Sequence, residues 1–300
     1  MGKYVVTGGA GFIGGHIVDA LIARGDKVAV IDNLSGGDLA VVNKKADFHK
    51  LDIRDREEIK PIFVGAKGVF HLAALARVQP SIVDPWTTND VNVNGTLAVL
   101  LAARDAGVKR FVYSASSSAY GDAEVLPAHE GLLPKPMSPY GLQKYVGEHY
   151  TRLFSLLYGM QTVSLRYFNV YGPRAKTDGA YSLVIGRFLS QRKKGEPMTV
   201  AGDGTNTRAY THVNDVVRAN LLAMSSQKVG SGEVLNIGGS KEYSVNDIAK
   251  MIGGPTTQIA SRVEPKRTLA DISRAKSLLG WEPEISLEDG LAELKKFYFD

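Results

Sequence analysis

The chain has 300 residues, 44% hydrophobic and 22% charged, with 32 glycines and 12 prolines, a composition that excludes a disordered, collagen-like or low-complexity chain and leaves one large α/β domain or two modest lobes. Zero cysteines exclude a disulfide framework, a thiolate metal site and a cysteine nucleophile together, so any redox chemistry has to be carried by a bound cofactor. The net charge of +5 is mild, and the compact basic run Arg192-Lys193-Lys194 reads as a solvated helix end, not as a surface for nucleic acid.

In chain order, Tyr4-Val5-Val6 is a short apolar run stopped by Gly8 and Gly9, too short for a signal peptide. Phe12, Ile13, His16, Ile17, Ala20, Leu21 and Ala23 then recur at helical spacing up to Gly25, which predicts strand, tight turn and helix. Val28 to Ile31, Val69 to Leu72, Phe111 to Tyr113 and Thr162 to Leu165 read as further buried strands with helical patterns between them. That alternation implies a doubly wound parallel sheet with helices on both faces. From Asn169 onward, Gly172-Pro173 and Gly202-Asp203-Gly204 punctuate helices such as Tyr181 to Lys194, and a second, smaller lobe is expected there. The expected division is 1–168 with about 209–238 for the first lobe, and 169–208 with 239–300 for the second; Val213 to Met224 and Val234 to Ile237 are the helix and strand that return to the first. No apolar window approaches the length of about 18 residues that spans a bilayer, and a cytoplasmic protein is expected.

Thr7-Gly8-Gly9-Ala10-Gly11-Phe12-Ile13-Gly14 joins the first strand to its helix. Glycines there let the backbone turn tightly and approach a pyrophosphate, which sits on the unpaired N–H groups of the helix N-terminus. Asp32 ends the second strand, where a carboxylate accepts hydrogen bonds from an adenosine ribose and repels a 2′-phosphate; NAD is therefore favoured over NADP. The competing role for Asp32 is to cap the turn Asp32-Asn33-Leu34-Ser35. Further on, Tyr140 and Lys144 stand one helical turn apart behind Ser138-Pro139, on one face of a helix. A free tyrosine titrates near ~10, and a neighbouring ammonium stabilises its phenolate, so that the tyrosine can act as a base at neutral pH. Taken alone this pair is equally a surface contact. Beside a dinucleotide loop, and with Ser114 to Ser118 ending the intervening strand, it becomes a serine–tyrosine–lysine site.

These stretches, together with Asp52-Ile53, His71 to Ala74, Tyr120-Gly121 and Arg166 to Arg174, fall in the order of the extended short-chain dehydrogenase/reductases. The chain resembles that superfamily, of the NAD-dependent epimerase/dehydratase kind, over nearly its whole length. Gly202 to Val213, Asn236-Ile237-Gly238 and Ala270 to Pro283 are similar to its UDP-sugar branch, above all the UDP-hexose 4-epimerases. The resemblance implies a Rossmann-type fold and the chemistry of a 4-epimerase. Tyr140 would remove the 4-hydroxyl proton as hydride passes to NAD, Ser116 would hydrogen-bond that oxygen, and Lys144 would hold the nicotinamide ribose. It places Gly8, Gly11, Phe12, Ile13, Gly14, Asp32, Asn33, Ser35, Gly36, Asp52 and Ile53 at the adenosine and diphosphate. Leu72, Ala73, Ala74 and Ser114 are placed at the cofactor wall, Asn92 among the cofactor residues as a supporting polar contact, and Tyr167 or Phe168 at the nicotinamide end. Ser117, Asn169, Leu183, Val184, Arg187 and Arg208 are placed at the UDP-sugar, with Glu264 at its ribose. It also implies a homodimer through the helices that carry Leu97, Leu100 and Leu101, and Tyr145, Tyr150, Leu153, Phe154 and Leu157.

Ser117 and Ser118 stand where dehydratases and decarboxylases of the family carry acids, which argues against those reactions. Thr268 stands where epimerases restricted to glucose and galactose carry a bulky tyrosine, and a small residue leaves room for an N-acetyl group. Arg77 lies near the expected sugar pocket, where it takes volume or pairs with a carboxylate. UDP-glucuronate 4-epimerisation therefore stays open beside the UDP-glucose/UDP-galactose and N-acetylhexosamine pairs, as do a substrate-releasing dehydrogenase and a non-catalytic NAD-binding regulator. The six histidines show no metal-ligand spacing, no metal is expected, and Trp86 and Trp281 read as packing anchors.

Overall fold

Runs of valine, isoleucine and phenylalanine with no polar alternation suit strands covered on both faces, the environment of a parallel sheet. The computed structural model describes residues 1–177, 184–261 and 265–299. Its first half alternates β1 (Lys3–Thr7), α1 (Phe12–Ala23), β2 (Lys27–Ile31), β3 (Asp47–His49), α2 (Arg56–Ile59) and β4 (Gly68–His71). There follow α3 (Val78–Val83), α4 (Pro85–Asn89), α5 (Gly95–Asp105), β5 (Arg110–Ser116), α6 (Pro139–Tyr158) and β6 (Gln161–Tyr167). Beyond them come β7 (Val170–Tyr171), α7 (Val184–Lys193), β8 (Met198–Ala201), β9 (Thr207–Ala209), β10 (Thr211–His212), α8 (Val213–Ser225) and β11 (Ser231–Ile237). The last elements are β12 (Glu242–Ser244), α9 (Val245–Ile252), β13 (Thr256–Ile259), β14 (Arg267–Thr268), α10 (Ser273–Leu279) and α11 (Leu287–Phe299).

Seven strands form one all-parallel, Rossmann-type sheet in the order β11-β6-β5-β4-β1-β2-β3. The order reverses between β1 and β4, so the connections leaving their carboxyl ends diverge to opposite faces and open a crevice. On one face Ile17 and Leu21 of α1, Val216, Ala219 and Ala223 of α8, and Trp281 cover Val6, Val30 and Phe70. On the other, Ile59, Phe63, Val99, Ala103 and Phe154 cover Val5, Val69 and Phe111. A separate core joins Phe188 and Leu189 of α7, Val200 of β8, Ile248 and Ile252 of α9, and Leu291 and Leu294 of α11.

The longest helix shows how local chemistry sets an element's limits. The Ser138 hydroxyl accepts the Gly141 N–H at 3.1 Å, Pro139 occupies the first turn, and Gly159 at φ 65° closes α6. Its inward line includes Lys144, Gly147, Glu148, Thr151 and Phe154, so a lysine and a glutamate are buried. Of the helix expected from Tyr181, α7 covers Val184–Lys193, and Tyr181 to Leu183 lie outside the described residues.

The two tryptophans part company. Trp281 is fully buried and donates its Nε1–H to the Asp215 carbonyl oxygen at 2.9 Å. Trp86, expected as a packing anchor, is 85% exposed. On the short α4 the inward position is taken by buried Thr88, and residues two apart on a helix point in nearly opposite directions.

Candidate active site

The glycine loop is dictated by close approach. Gly8 has φ +73°, and a Cβ there would lie 2.7 Å from the Ala73 amide nitrogen; a Cβ on Gly14 would lie 2.1 Å from the Gly8 carbonyl oxygen. Gly11 caps α1 without a side chain, leaving the helix N-terminus open to an anion. The Asp32 carboxylate accepts the Ala10 N–H at 3.0 Å and the Leu34 N–H at 2.8 Å, so its turn-capping role is real and ties the second strand to the loop. Burial raises its pKa against those two hydrogen bonds. Asn33 donates to Asp52 at 2.9 Å and accepts the Ser35 N–H, while the Arg54 guanidinium forks onto Asp52 and holds its carboxyl at about 2.

One cavity of about 920 Å³ runs along the carboxyl edge of the sheet. Gly8, Gly11, Phe12, Ile13, Gly14, Asp32, Asn33, Ser35, Gly36, Asp52 and Ile53 line one end of it, and Leu72, Ala73, Ala74, Ser114 and Tyr167 its middle. These residues fit a dinucleotide: a glycine loop whose close turn a Cβ at Gly8 or Gly14 would disrupt, followed by a carboxylate and an apolar floor. Tyr167 spends its hydroxyl on Asn220 at 3.0 Å and offers the cavity its ring. Asn92 is not on the wall. It is buried, accepts the Leu75 N–H at 2.8 Å, and donates to the Leu75 carbonyl oxygen and to Gln143, which pins the segment leaving β4 against α6.

Ser116 ends β5 and Tyr140 lies in the first turn of α6, and both side chains line the cavity. Burial pushes the Tyr140 hydroxyl above its ordinary range; the Ser116 side chain and the charge of Arg77 act the other way. Lys144 donates from Nζ to the Ser114 carbonyl oxygen at 2.8 Å and lies 5.0 Å from the Tyr113 ring centre. Burial brings its pKa down to about 7, with Glu148 opposing. A phenol, a hydroxyl and an amine that exchanges its proton near neutrality thus meet at the cavity floor. Beneath them His71, held between Thr7 at 2.6 Å and Thr96 at 2.9 Å, is pushed down to about 3 by burial and stays neutral.

Burying Lys144 opposes folding, and the pH dependence follows from its two pKa values. The unfolded chain keeps this proton up to about 10.4, the folded chain only to about 7, so between these limits the unfolded state binds more protons and stability rises with pH. Lys144→Met in cofactor-free protein is expected to gain about 1–3 kcal/mol at pH 7 in urea denaturation, a gain that shrinks as pH rises toward 10 while catalysis is lost. A variant less stable than the parent at pH 7 would refute this.

Arg77, Ser116, Ser117, Asn169, Val184, Arg187 and Arg208 line the other end of the same cavity. Leu183 and Glu264 lie outside the described residues. Thr268 is not on the wall; its hydroxyl accepts the Asn169 Nδ2–H at 2.9 Å, and Asn169, at φ 40°, also donates to the Ala209 carbonyl oxygen. Sequence reasoning missed Arg174, Lys176 and Tyr210, and the end of α11 with Leu294, Phe297 and Tyr298, all on the wall. Arg174 pairs with Asp19 of α1 at 2.8 Å; the spacing of Leu287, Leu291, Leu294 and Tyr298 marked the helix, though not what it covers.

A doubly wound sheet with a glycine cradle at its switch point and a serine, tyrosine and lysine beside it defines a dinucleotide-dependent enzyme of alcohol–ketone chemistry. The chain belongs to the NAD dependent epimerase/dehydratase family, whose sequence model matches residues 4–238, and NAD is its cofactor. It is similar in structure to the UDP-glucose 4-epimerase of Thermotoga maritima solved with UDP-glucose (TM-score 0.94, 41% identity, 99% of this chain and 98% of that one). It is equally similar to the UDP-N-acetylglucosamine 4-epimerase of Methanobrevibacter ruminantium solved with UDP-N-acetylmuramic acid (TM-score 0.94, 34% identity, 99% and 98%). The UDP-glucuronate 4-epimerase of Thermodesulfobacterium geofontis is 36% identical over 312 residues, 97% of this chain and 94% of that protein.

Proposed function

We propose that the enzyme inverts C4 of UDP-hexoses through a 4-keto sugar, interconverting UDP-glucose with UDP-galactose, UDP-N-acetylglucosamine with UDP-N-acetylgalactosamine, or both pairs. The observation that carries this reading is the meeting of Ser116, Tyr140 and Lys144 beside the glycine cradle, in a cavity whose far end holds Arg187 and Arg208. Tyr140 takes the proton of the sugar 4-hydroxyl, Ser116 steadies that oxygen, and Lys144 exchanges a proton at the cavity floor. NAD, when bound in the glycine cradle, would supply the acceptor and donor of the hydride exchanged with that carbon. Arg187 and Arg208 hold the diphosphate, so that the sugar turns while its nucleotide stays. Ser117 and Ser118 add no acid for elimination. Arg77 on the wall favours UDP-glucuronate as the second reading. The same proposal includes a cytoplasmic homodimer through α5 and α6, supported by Leu153 and Leu157, which are 44% and 63% exposed while Leu100 and Phe154 of the same stripes are buried.

The test is to incubate purified protein with UDP-galactose, UDP-N-acetylgalactosamine or UDP-glucuronate, without added NAD, and follow the anomeric protons by NMR. Appearance of the C4 epimer from either of the first two supports the main reading. Conversion of UDP-glucuronate alone selects the second, and no conversion of any sugar with NAD added overturns both.

A further inference from the structure

One stripe of α1 starts at the cavity and ends outside it. Phe12, Gly15, His16 and Asp19 share a face at helical spacing; Phe12 is on the cavity wall, whereas His16 and Asp19 are not. Two segments that do form the wall are fastened to this stripe. On one side Asn43, which follows Val41 of the wall, donates from Nδ2 to Asp19 Oδ1 at 2.7 Å. On the other, Arg174 pairs through Nη2 with Asp19 Oδ2 at 2.8 Å, and the Pro173 carbonyl oxygen accepts a hydrogen bond from His16 Nε2 at 3.0 Å. Gly15 leaves a seat for the guanidinium: a Cβ there would lie 3.5 Å from Arg174 Nη1, so a larger side chain would take its place. Arg174 itself stands at φ 67°, a left-handed conformation that residues with a side chain rarely adopt and that persists where neighbouring contacts hold it. Gly172, Arg174 and Ala175 line the cavity. Just before them, the Tyr171 hydroxyl donates to the Ser286 carbonyl oxygen at 3.2 Å, which fixes the segment from the side of α11 as well.

We propose, on the reading of the glycine loop as the seat of NAD, that Asp19 retains the cofactor. Its carboxylate clasps two rims of the cavity, the segment from Asp38 to Asn43 and the segment from Gly172 to Ala175, across the helix whose first turn carries the loop. NAD leaves when this clasp opens, so its departure is slowed by the fraction of time the clasp stands shut. Asp19 is a positioning residue, because it lies off the wall and acts through Arg174 and Asn43. His16 works beside it, holding the backbone of the same segment. The ion pair is about a third exposed on both sides, so its loss changes opening by a modest factor, and loss of the Asn43 bond adds to it.

The experiment mixes NAD-loaded protein with an excess of NAD labelled in its adenine and samples the bound label by rapid gel filtration. It reads dissociation without any turnover of sugar. Asp19→Ala is expected to speed exchange about tenfold. Asn43→Ala, which leaves the ion pair in place, is expected to speed it about threefold, and serves if Asp19→Ala does not fold. In an Arg174→Met background Asp19→Ala should add no more than about threefold, because the two side chains act as one pair. High salt should speed exchange in the parent more than in Asp19→Ala, since a pair this exposed is screened. Exchange within twofold of the parent in Asp19→Ala, whatever its melting temperature, makes the residue structural only and overturns the proposal. An unchanged rate in Asn43→Ala does the same should Asp19→Ala fail to fold, as does a full tenfold gain that persists over Arg174→Met. A parent that takes up no labelled NAD at all would instead refute the glycine loop as the cofactor's seat, and the clasp with it.

Discussion

Tyr140→Phe is expected to lower sugar conversion by about 10²- to 10⁴-fold while leaving the fold and the retained NAD in place. The substitution removes one oxygen from a ring that stays packed at the cavity floor. The Tyr140 backbone N–H still reaches Ser81, and Lys144 still reaches the Ser114 carbonyl oxygen. What disappears is the group to which a 4-hydroxyl can pass its proton; Ser116, whose hydroxyl accepts the Ser118 N–H at 3.2 Å, is itself far too weak a base. The loss is therefore expected to fall on kcat, with KM for the UDP-sugar nearly unchanged, because the substitution leaves Arg187 and Arg208, the proposed diphosphate grip, untouched. NMR conversion rates, together with the cofactor content released on denaturing each protein, check this. A variant within tenfold of the parent would remove Tyr140 from the reaction and leave the site without a base.

The features legible in the sequence share one property: their chemistry is local. The glycine loop follows from backbone constraints between neighbouring residues, the Tyr140–Lys144 pair from the helical repeat, and the start of α6 from Ser138 and Pro139. The sheet was legible because strands covered on both faces leave continuous apolar runs, and Asp32 because it ends one of them. What escaped depends on contacts between distant segments. Nothing near Trp86 in sequence says that Thr88 takes the inward side of α4. That Asn92 gives its support through the Leu75 backbone is a fact about two segments meeting at α6. Thr268 matched a position associated with the sugar, yet it is not on the wall and its hydroxyl is spent on Asn169, which is. The end of α11 reaches the cavity wall only because α11 packs against α7 and α9, an arrangement that amphipathic spacing cannot encode.

Glu148→Leu is expected to destabilise the protein by about 3–5 kcal/mol, the largest stability effect anticipated from a single side chain here. Glu148 and Arg166 are both within a few per cent of full burial and form a forked pair, Nε to Oε1 at 2.8 Å and Nη2 to Oε2 at 2.7 Å. Burial pushes the Glu148 carboxyl up and Arg166 pulls it back. The guanidinium lies 4.5 Å from the Tyr120 ring centre, and its Nη1 has no hydrogen-bond partner among the described residues, so once the carboxylate is gone only the ring face is left to hold its charge. The double substitution Glu148→Leu/Arg166→Met removes both charges from the same volume and should recover most of the loss in urea denaturation. A single substitution costing under about 1 kcal/mol would mean that water reaches Arg166 and that the pair is not buried in solution. Recovery of stability is not expected to restore the enzyme. Glu148 is the charge that resists the fall in the Lys144 pKa, so without it Lys144 gives up its proton at a lower pH. The double variant, stable again, should therefore lose activity on the side of the pH profile where Lys144 is deprotonated, and that limb should move toward acid. A buried ion pair that apolar residues can replace for folding would then be retained for the proton economy of the lysine one helical turn away.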